Sequence, residues 1–517
     1  MNASGNLGPS RLLSKTHIYL RLRPVAVSMA LVVPCLWRPI VSGIDLQSHL
    51  YNAWLADQIT RGGMHGLWIG HQSTNILVDM LLPRLLRSFG PSVAERVASA
   101  ALVLVFFWGA FRFISAVRGQ AAYWLAPWLA MLSYGFVFQM GFLNYYLACG
   151  IVFWVFSFLW RESFGWRALG AAPLLLLSYL AHPLPVLWLI GVGAYYLLAR
   201  QLRARLQLFL LIGGVETLFL IRGHILAKYF VLSEPWQLTC WTGADQFLLY
   251  GCRYLPAALG FLLFGVVILC APENRRRAIV SVPAQVYALT AVAVMLIPWA
   301  IGTSKETAAA SYMSERLSFL CGVLLLAVLS RSTYRRWYLP VGLLAAAAFF
   351  AALYCDIGKE SRVEAKIESL VETLPAGARV VWFEALGNRE EPGHVPAPEG
   401  NLAYMANRVS SVCCGRLPEI DTHLLSRACL GHCFDYMNYE PSTGQFRIHA
   451  APGNPVVLAT YVEFSSMRSG IYVVGANDLP LYALIQCGPD RGDLFIQPMA
   501  QGESGATLVC PGARGRQ

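Results

Sequence analysis

Apolar positions in this chain gather into blocks of roughly fifteen to twenty-three residues between Pro24 and Cys355, separated by short polar or basic stretches. A block of that length with few charges predicts a helix that crosses a membrane: about 20 apolar residues span a hydrocarbon core of about 30 Å, and a helix satisfies its own backbone there. Eleven spans are predicted, at 24–41, 95–115, 120–138, 143–160, 168–182, 184–199, 206–222, 249–270, 278–300, 316–331 and 339–355. The fifth and sixth are separated only by "AHPLP", where Pro183 and Pro185 end one helix and leave a tight turn.

Two regions depart from the block pattern. The loop 42–94 holds two amphipathic segments. In "SGIDLQSHLYNAWLADQITRGG" (Ser42 to Gly63), Leu46, Leu50, Ala53 and Trp54 fall on one helical face, and Asp45, His49 and Asn52 on another. In "NILVDMLLPRLLRSFG", Ile76, Leu77, Met80, Leu81 and Leu85 form an apolar side. Both read as helices lying in the membrane interface. From about residue 356 the pattern changes again. "ESRVEAKIESLVETLPAGARVVWFEAL" predicts an amphipathic helix, a turn and a buried strand, and "QFRIHA", "VVLATYV" and "GIYVVG" predict more strands. The fold class is therefore mainly α: a polytopic bundle over 1–355, with juxtamembrane helices in 42–94, followed by a small C-terminal α/β or α+β domain over 356–517.

Composition strengthens the membrane reading. The chain of 517 residues is 56% hydrophobic and 13% charged, about half the charged share of a soluble protein. Its formal charge of +11 does not imply a nucleic-acid partner, because the cations lie in short clusters between spans, as topology signals do. With a cytoplasmic N-terminus, the inner loops carry Arg112 and Arg118; Arg161 and Arg167; Arg200, Arg203 and Arg205; Arg275 to Arg277; and Arg331, Arg335 and Arg336. Arg61, Arg84 and Arg87 run against the rule, in the first outer loop. "PVAVSMALVVPCLW" follows several cations but is succeeded by Arg38 and Pro39, with no small-residue cleavage site, and reads as an uncleaved signal anchor. An odd number of spans puts the tail outside: a multi-pass protein of the plasma (inner) membrane with an extracytoplasmic (periplasmic) C-terminal domain.

Cysteine usage agrees with an exported tail. Six of the thirteen cysteines lie there, Cys413, Cys414, Cys429, Cys433, Cys487 and Cys510, enough for three disulfides in any of fifteen pairings. Cys240 and Cys252 are candidates for a fourth bridge. His423, Cys429, His432 and Cys433 do not have the spacing of a zinc ribbon or finger, so no metal site is predicted.

Polar residues near the predicted outer face carry the candidate chemistry. Asp45 is placed where a membrane helix meets water; an Asp there is also a favoured helix cap. His49, four residues on, is a candidate to orient it, with local helix support as the plainer role. Other outer loops offer Lys228, Trp236 and Trp241, and Lys305 and Arg316, as candidate ligands. Interfacial Trp is more commonly an anchor, and an Arg at the start of a span, as Arg316 is, often just snorkels. His182, in "LSYLAHPLP", and the intramembrane acid Glu216 are secondary candidates.

An inner N-terminus, a long first outer loop with an early acid and two juxtamembrane helices, about ten further spans and an exported tail together resemble the GT-C glycosyltransferases. "GIDLQSHLYNAWLADQI", "GFLNYYLACG", "LSYLAHPLP" and "HCFDYMNYEPSTGQFRIHA" look like segments of a bacterial branch of that superfamily. The resemblance implies an inverting transfer of sugar from a polyprenyl-phosphate donor to a glycan, lipid or protein acceptor at the outer face of the bilayer, with Asp45 matching the family's first-loop acid. On that chemistry His49, Trp236 and Trp241 are candidates to meet the sugar, and Lys228, Lys305 and Arg316 to meet the lipid phosphate. Many members carry a second acidic motif, tied to a metal ion, between the third and fourth spans. Here that loop is "FQMGFLNYY" and has no acid, which argues against metal dependence; no cofactor is predicted. Two other functions remain open at this stage: a transporter or flippase for lipid-linked glycans, and a noncatalytic scaffold for envelope assembly. A transporter is expected to carry polar residues along several spans, whereas here they gather on the outer side.

Overall fold

The computed structural model describes residues 9–41, 43–61, 67–68, 73–161, 170–226, 231–233, 240–250, 252–298, 300–304, 307–310, 312–376, 379–385, 427–431, 434–435, 456–457, 481–487 and 493–499. It is mainly helical. In chain order the helices are α1 (Pro9–Leu36), α2 (Ile44–Thr60), α3 (Leu77–Phe89), α4 (Pro91–Arg118), α5 (Ala126–Ser133), α6 (Phe136–Gln139), α7 (Leu143–Arg161) and α8 (Ala171–Ala181). They continue with α9 (Pro183–Ala199), α10 (Ala204–Leu220), α11 (Leu255–Cys270), α12 (Pro272–Ile279), α13 (Val282–Leu296), α14 (Met313–Ser330) and α15 (Tyr338–Val371).

Five of the described helices are long and apolar enough to cross a membrane: Pro91–Arg118, Leu143–Trp160, Ala204–His224, Met313–Ser330 and Tyr338–Val371. Five shorter apolar helices accompany them, α8, α9, α11, α13 and the segment Leu22–Leu36. The predicted span 120–138 is not one helix. It breaks at Tyr134 and Gly135 into α5 and α6, because the Gly135 backbone lies against the Gln246 carbonyl, where a Cβ would come within 2.9 Å. The predicted boundary at residue 356 falls inside α15, which runs on unbroken for 34 residues.

Local signals explain the best-formed helices. α4 starts with Pro91 at its first position and ends at Gly119, whose φ of 85° lets its N–H reach the Ser115 and Ala116 carbonyls. α4 then packs along α7. The two meet at small residues: a Cβ on Gly109 would stand 2.8 Å from the Trp154 ring, and one on Gly150 2.8 Å from the Phe106 Cα. Such contacts let apolar backbones approach closely where there is no water to drive association. α14 is buried along nearly its whole length against α4 and α13, and Phe319 stacks on Phe106 at 4.5 Å. α10 is the opposite case, with no buried residue.

The tail contributes a four-stranded mixed sheet in the order β6 (Phe434–Asp435), β5 (Arg379–Ala385), β8 (Leu481–Cys487), β9 (Asp493–Met499). β5 pairs parallel with β6 and β8, and β9 runs antiparallel to β8, while β2 (Val231–Ser233), β3 (Ala300–Ser304) and β4 (Thr307–Ala310) form a separate antiparallel sheet. β5 coincides with the strand read from "RVVWFEA"; β8 and β9 were not read as strands, and "QFRIHA" and "GIYVVG" lie outside the described residues. Two contacts tie the tail to the first loop. β1 (Leu67–Trp68) pairs parallel with β7 (Val456–Val457). Arg427 also forms an ion pair with the fully buried Glu95 at the start of α4, and Glu95 accepts the Val41 N–H. Among the tail cysteines, Cys429 is buried and disulfide-bonded. Cys240 is a buried thiol, not part of a disulfide, on a tight turn packed against α13 and α14.

Candidate catalytic junction

α2 does not lie on the surface as its pattern predicts. Residues 45–51 are buried on every side, and Asp45 and His49 are buried at 5% and 4% exposure. Asp45 occupies the first turn of α2, one residue inside the helix. Its N–H donates to the Met140 carbonyl at 3.0 Å. The next residue, Gly141, has φ +75°, and a Cβ there would stand 2.6 Å from the backbone nitrogens of Asp45 and Leu46. Glycine at this position is what lets α2 seat its start against the turn into α7.

One helical turn on, His49 Nδ1 lies 2.7 Å from Asp79 Oδ1, with both side chains buried. Asp79 comes from α3, whose enclosed side is Val78, Asp79 and Leu82; Met80 and Leu81 of the predicted apolar face are exposed. Asn144, in the first turn of α7, locks this arrangement. Its Nδ2 donates to Asp79 Oδ2 at 2.7 Å and to the Asn75 carbonyl at 3.0 Å, and its Oδ1 accepts the Val78 N–H at 2.8 Å. Burial by itself pulls the His49 pKa down, but the Asp79 charge and hydrogen bond, with Asp45 beyond, outweigh it and the net shift is upward.

The same short segment reaches a cation on its other side. The Arg316 guanidinium carbon sits 4.1 Å from the centre of the Phe142 ring and 5.6 Å from that of Tyr145. The Tyr145 hydroxyl donates to the Arg316 carbonyl. Arg316 Nη1 is 3.2 Å from His182 Nε2, while His182 Nδ1 accepts the Leu184 N–H and so caps α9. The residues 140–145 thus lie between Asp45 and Arg316. Around them gather the starts of α2, α3, α7, α9 and α14, and each helix start carries a partial positive charge.

Behind the junction, a tight turn (Ala244–Phe247) buries Asp245, which accepts from the Ser318 hydroxyl and from Gln246 Nε2. Desolvation pushes the Asp245 carboxyl up to about 7, against those two hydrogen bonds. Gln246 also donates to the Glu315 carbonyl, beside Arg316, at 2.9 Å.

The predicted site residues therefore fall into three groups. Asp45, His49, His182 and Arg316 are joined through residues 140–145. Asn52 is half-buried on α2, Trp241 is exposed with its carbonyl accepting from the Tyr287 hydroxyl, and Glu216 is exposed on α10, so these three are not among the side chains packed at residues 140–145. Lys228, Trp236, Lys305, Cys413, Cys414, Cys433 and Cys510 lie outside the described residues, as does the Cys487 side chain. The sequence reading missed Asp79, Asn144, Tyr145 and Asp245. Asp79 was visible as a lone acid within the apolar "NILVDMLLP", and Asn144 as the amide of the loop singled out for its missing acid. Among the described residues, no cluster of three or more His, Cys, Asp or Glu side chains is placed to hold a metal ion. Comparison of the chain with protein-family models, curated proteins and solved structures finds no match.

Proposed function

We propose that the chain is an integral membrane glycosyltransferase of GT-C type. It moves a sugar from a polyprenyl-phosphate donor to a glycan, lipid or protein acceptor at the outer face of the plasma membrane, with inversion at the anomeric carbon. The observation that carries this reading is the junction itself: a buried carboxylate, an imidazole held by a second carboxylate, and a guanidinium, from three helices that meet the short segment 140–145. An acceptor hydroxyl is a weak nucleophile, and Asp45 takes its proton as the oxygen attacks the anomeric carbon. The bond from that carbon to the phosphate oxygen breaks, and the leaving phosphate gathers charge that Arg316 and the helix starts stabilise. His49, fixed by Asp79, orients Asp45 or binds the sugar. Trp241 and Trp236 are assigned to sugar faces, and Lys228 and Lys305 to the phosphate. Eleven spans, a cytoplasmic N-terminus and a periplasmic, disulfide-bonded tail complete the proposal.

The test is Asp45→Asn, assayed in vesicles loaded with polyprenyl-phosphate sugar. Transfer is expected to fall about 10²- to 10⁴-fold, the usual contribution of a general base, with thermal unfolding in detergent unchanged. Full activity in the variant would remove Asp45 from the base role. Excess EDTA is expected to leave the wild-type rate unchanged.

A further inference from the structure

The lipid-facing side of the bundle carries a second feature, which shares no residue with the junction. Between α11 and α15 runs a groove of about 430 Å³. Small residues leave the space: Ala257 and Gly260 on α11, and Ala345, Ala348 and Ala352 on α15, with the Trp128 ring among the lining residues. From Val341 to Ala352 the groove follows α15 for about 16 Å at 1.5 Å per residue, close to half of a hydrocarbon core of about 30 Å. An apolar groove of that length holds one hydrocarbon chain, with carbon contacts near 4 Å on each side.

The outer end is polar and cationic. Arg253 lines the groove there, and its Nη2 pairs with Asp356 Oδ1 at 2.6 Å. Lys359 Nζ lies 3.8 Å from the same oxygen. Ala345, Ala352, Asp356 and Lys359 recur at helical spacing along one stripe of α15, so the cations stand directly above the apolar floor. Two cations meet one carboxylate, and the Arg253 and Lys359 side chains are 43% and 60% exposed. An excess positive charge at the head of a one-chain, one-leaflet groove is complementary to a lipid whose phosphate sits at the interface.

We propose that this groove binds one acyl chain of an anionic glycerophospholipid, with the lipid phosphate at Arg253 and Lys359. The test takes the full chain reconstituted in vesicles of equal parts phosphatidylglycerol and phosphatidylcholine with identical acyl chains. The protein is extracted in mild detergent, and the lipid that stays bound is counted by mass spectrometry. Phosphatidylglycerol is expected to be enriched about fivefold over phosphatidylcholine, the effect of one net interfacial charge. Lys359→Gln, on an exposed side chain, is expected to bring the ratio close to one, and Arg253→Lys to preserve it. Ala348→Phe is expected to expel both lipids. Added polyprenyl phosphate is expected to leave the bound phosphatidylglycerol in place. The proposal is overturned by a wild-type ratio equal to that of the vesicles, by enrichment that survives Lys359→Gln, by lipid retained in a folded Ala348→Phe, or by displacement with polyprenyl phosphate.

Discussion

His49 is held against Asp79 in a place that water scarcely reaches, and its ionisation follows from that. Its folded pKa is raised above the ordinary value of 6.5. The imidazolium therefore adds stability that is fully present below about pH 6.5 and is lost as pH rises through the folded value. The melting temperature in detergent is expected to fall as pH rises above about 6.5, and His49→Gln to flatten that slope. Asp79→Asn removes one partner of a buried pair and is expected to cost about 3 kcal/mol in a denaturant titration; an unchanged midpoint would mean that Asn144 and His49 hold α3 without the charge. At this scale the sequence showed half of the arrangement. Asp45 and His49 stood out because they share a face of one helix. Asp79 and Asn144 did not, because their meeting spans 65 residues and has no local pattern. A lone acid in an apolar helix is visible, but what it pairs with depends on packing.

At the scale of elements, the seat of α2 is the sensitive point. Gly141→Ala must accept a left-handed backbone, at a cost of about 1–3 kcal/mol, and must also move the start of α2, since its Cβ would press on the Asp45 nitrogen. Transfer is expected to fall with stability, whereas Asp45→Asn is expected to lower transfer alone; comparing the two variants in one assay separates placing the acid from having it. The long apolar helices were legible in the sequence because α4, α7, α14 and α15 coincide with uninterrupted apolar blocks. The break between α5 and α6 was not, because its cause is the backbone of residue 246, more than a hundred positions away. The burial of the first half of α2, residues 45–51, escaped for a related reason. Its polar residues read as a wet face, yet they turn towards other polar groups and not towards solvent.

For the whole molecule, the Glu95–Arg427 pair decides how firmly the tail is held. Arg427→Met leaves a fully buried carboxylate without its cation and is expected to cost about 3–5 kcal/mol. Adding Glu95→Gln is expected to recover much of that loss. Simple additivity in this double-mutant cycle would show that the contact is incidental. Thiol labelling of intact cells is expected to mark the tail only after a membrane-impermeant reductant has opened its disulfides; labelling only after lysis would reverse the topology. The change of composition near residue 356 announced a tail, but not that α15 crosses it unbroken or that the tail reaches back to the first loop.

That reach has a consequence in time. Glu95 and Arg427 are 332 positions apart, and ribosomes add about 5–20 residues per second. The amino-terminal end of α4 therefore waits on the order of 20–70 s after its synthesis for the cation that neutralises it. Through that interval the nascent protein carries this acid with the Val41 N–H beside it but without the Arg427 cation. A holding factor at the site of insertion, or a protonated Glu95, must bridge the delay until the last fifth of the chain has been translated.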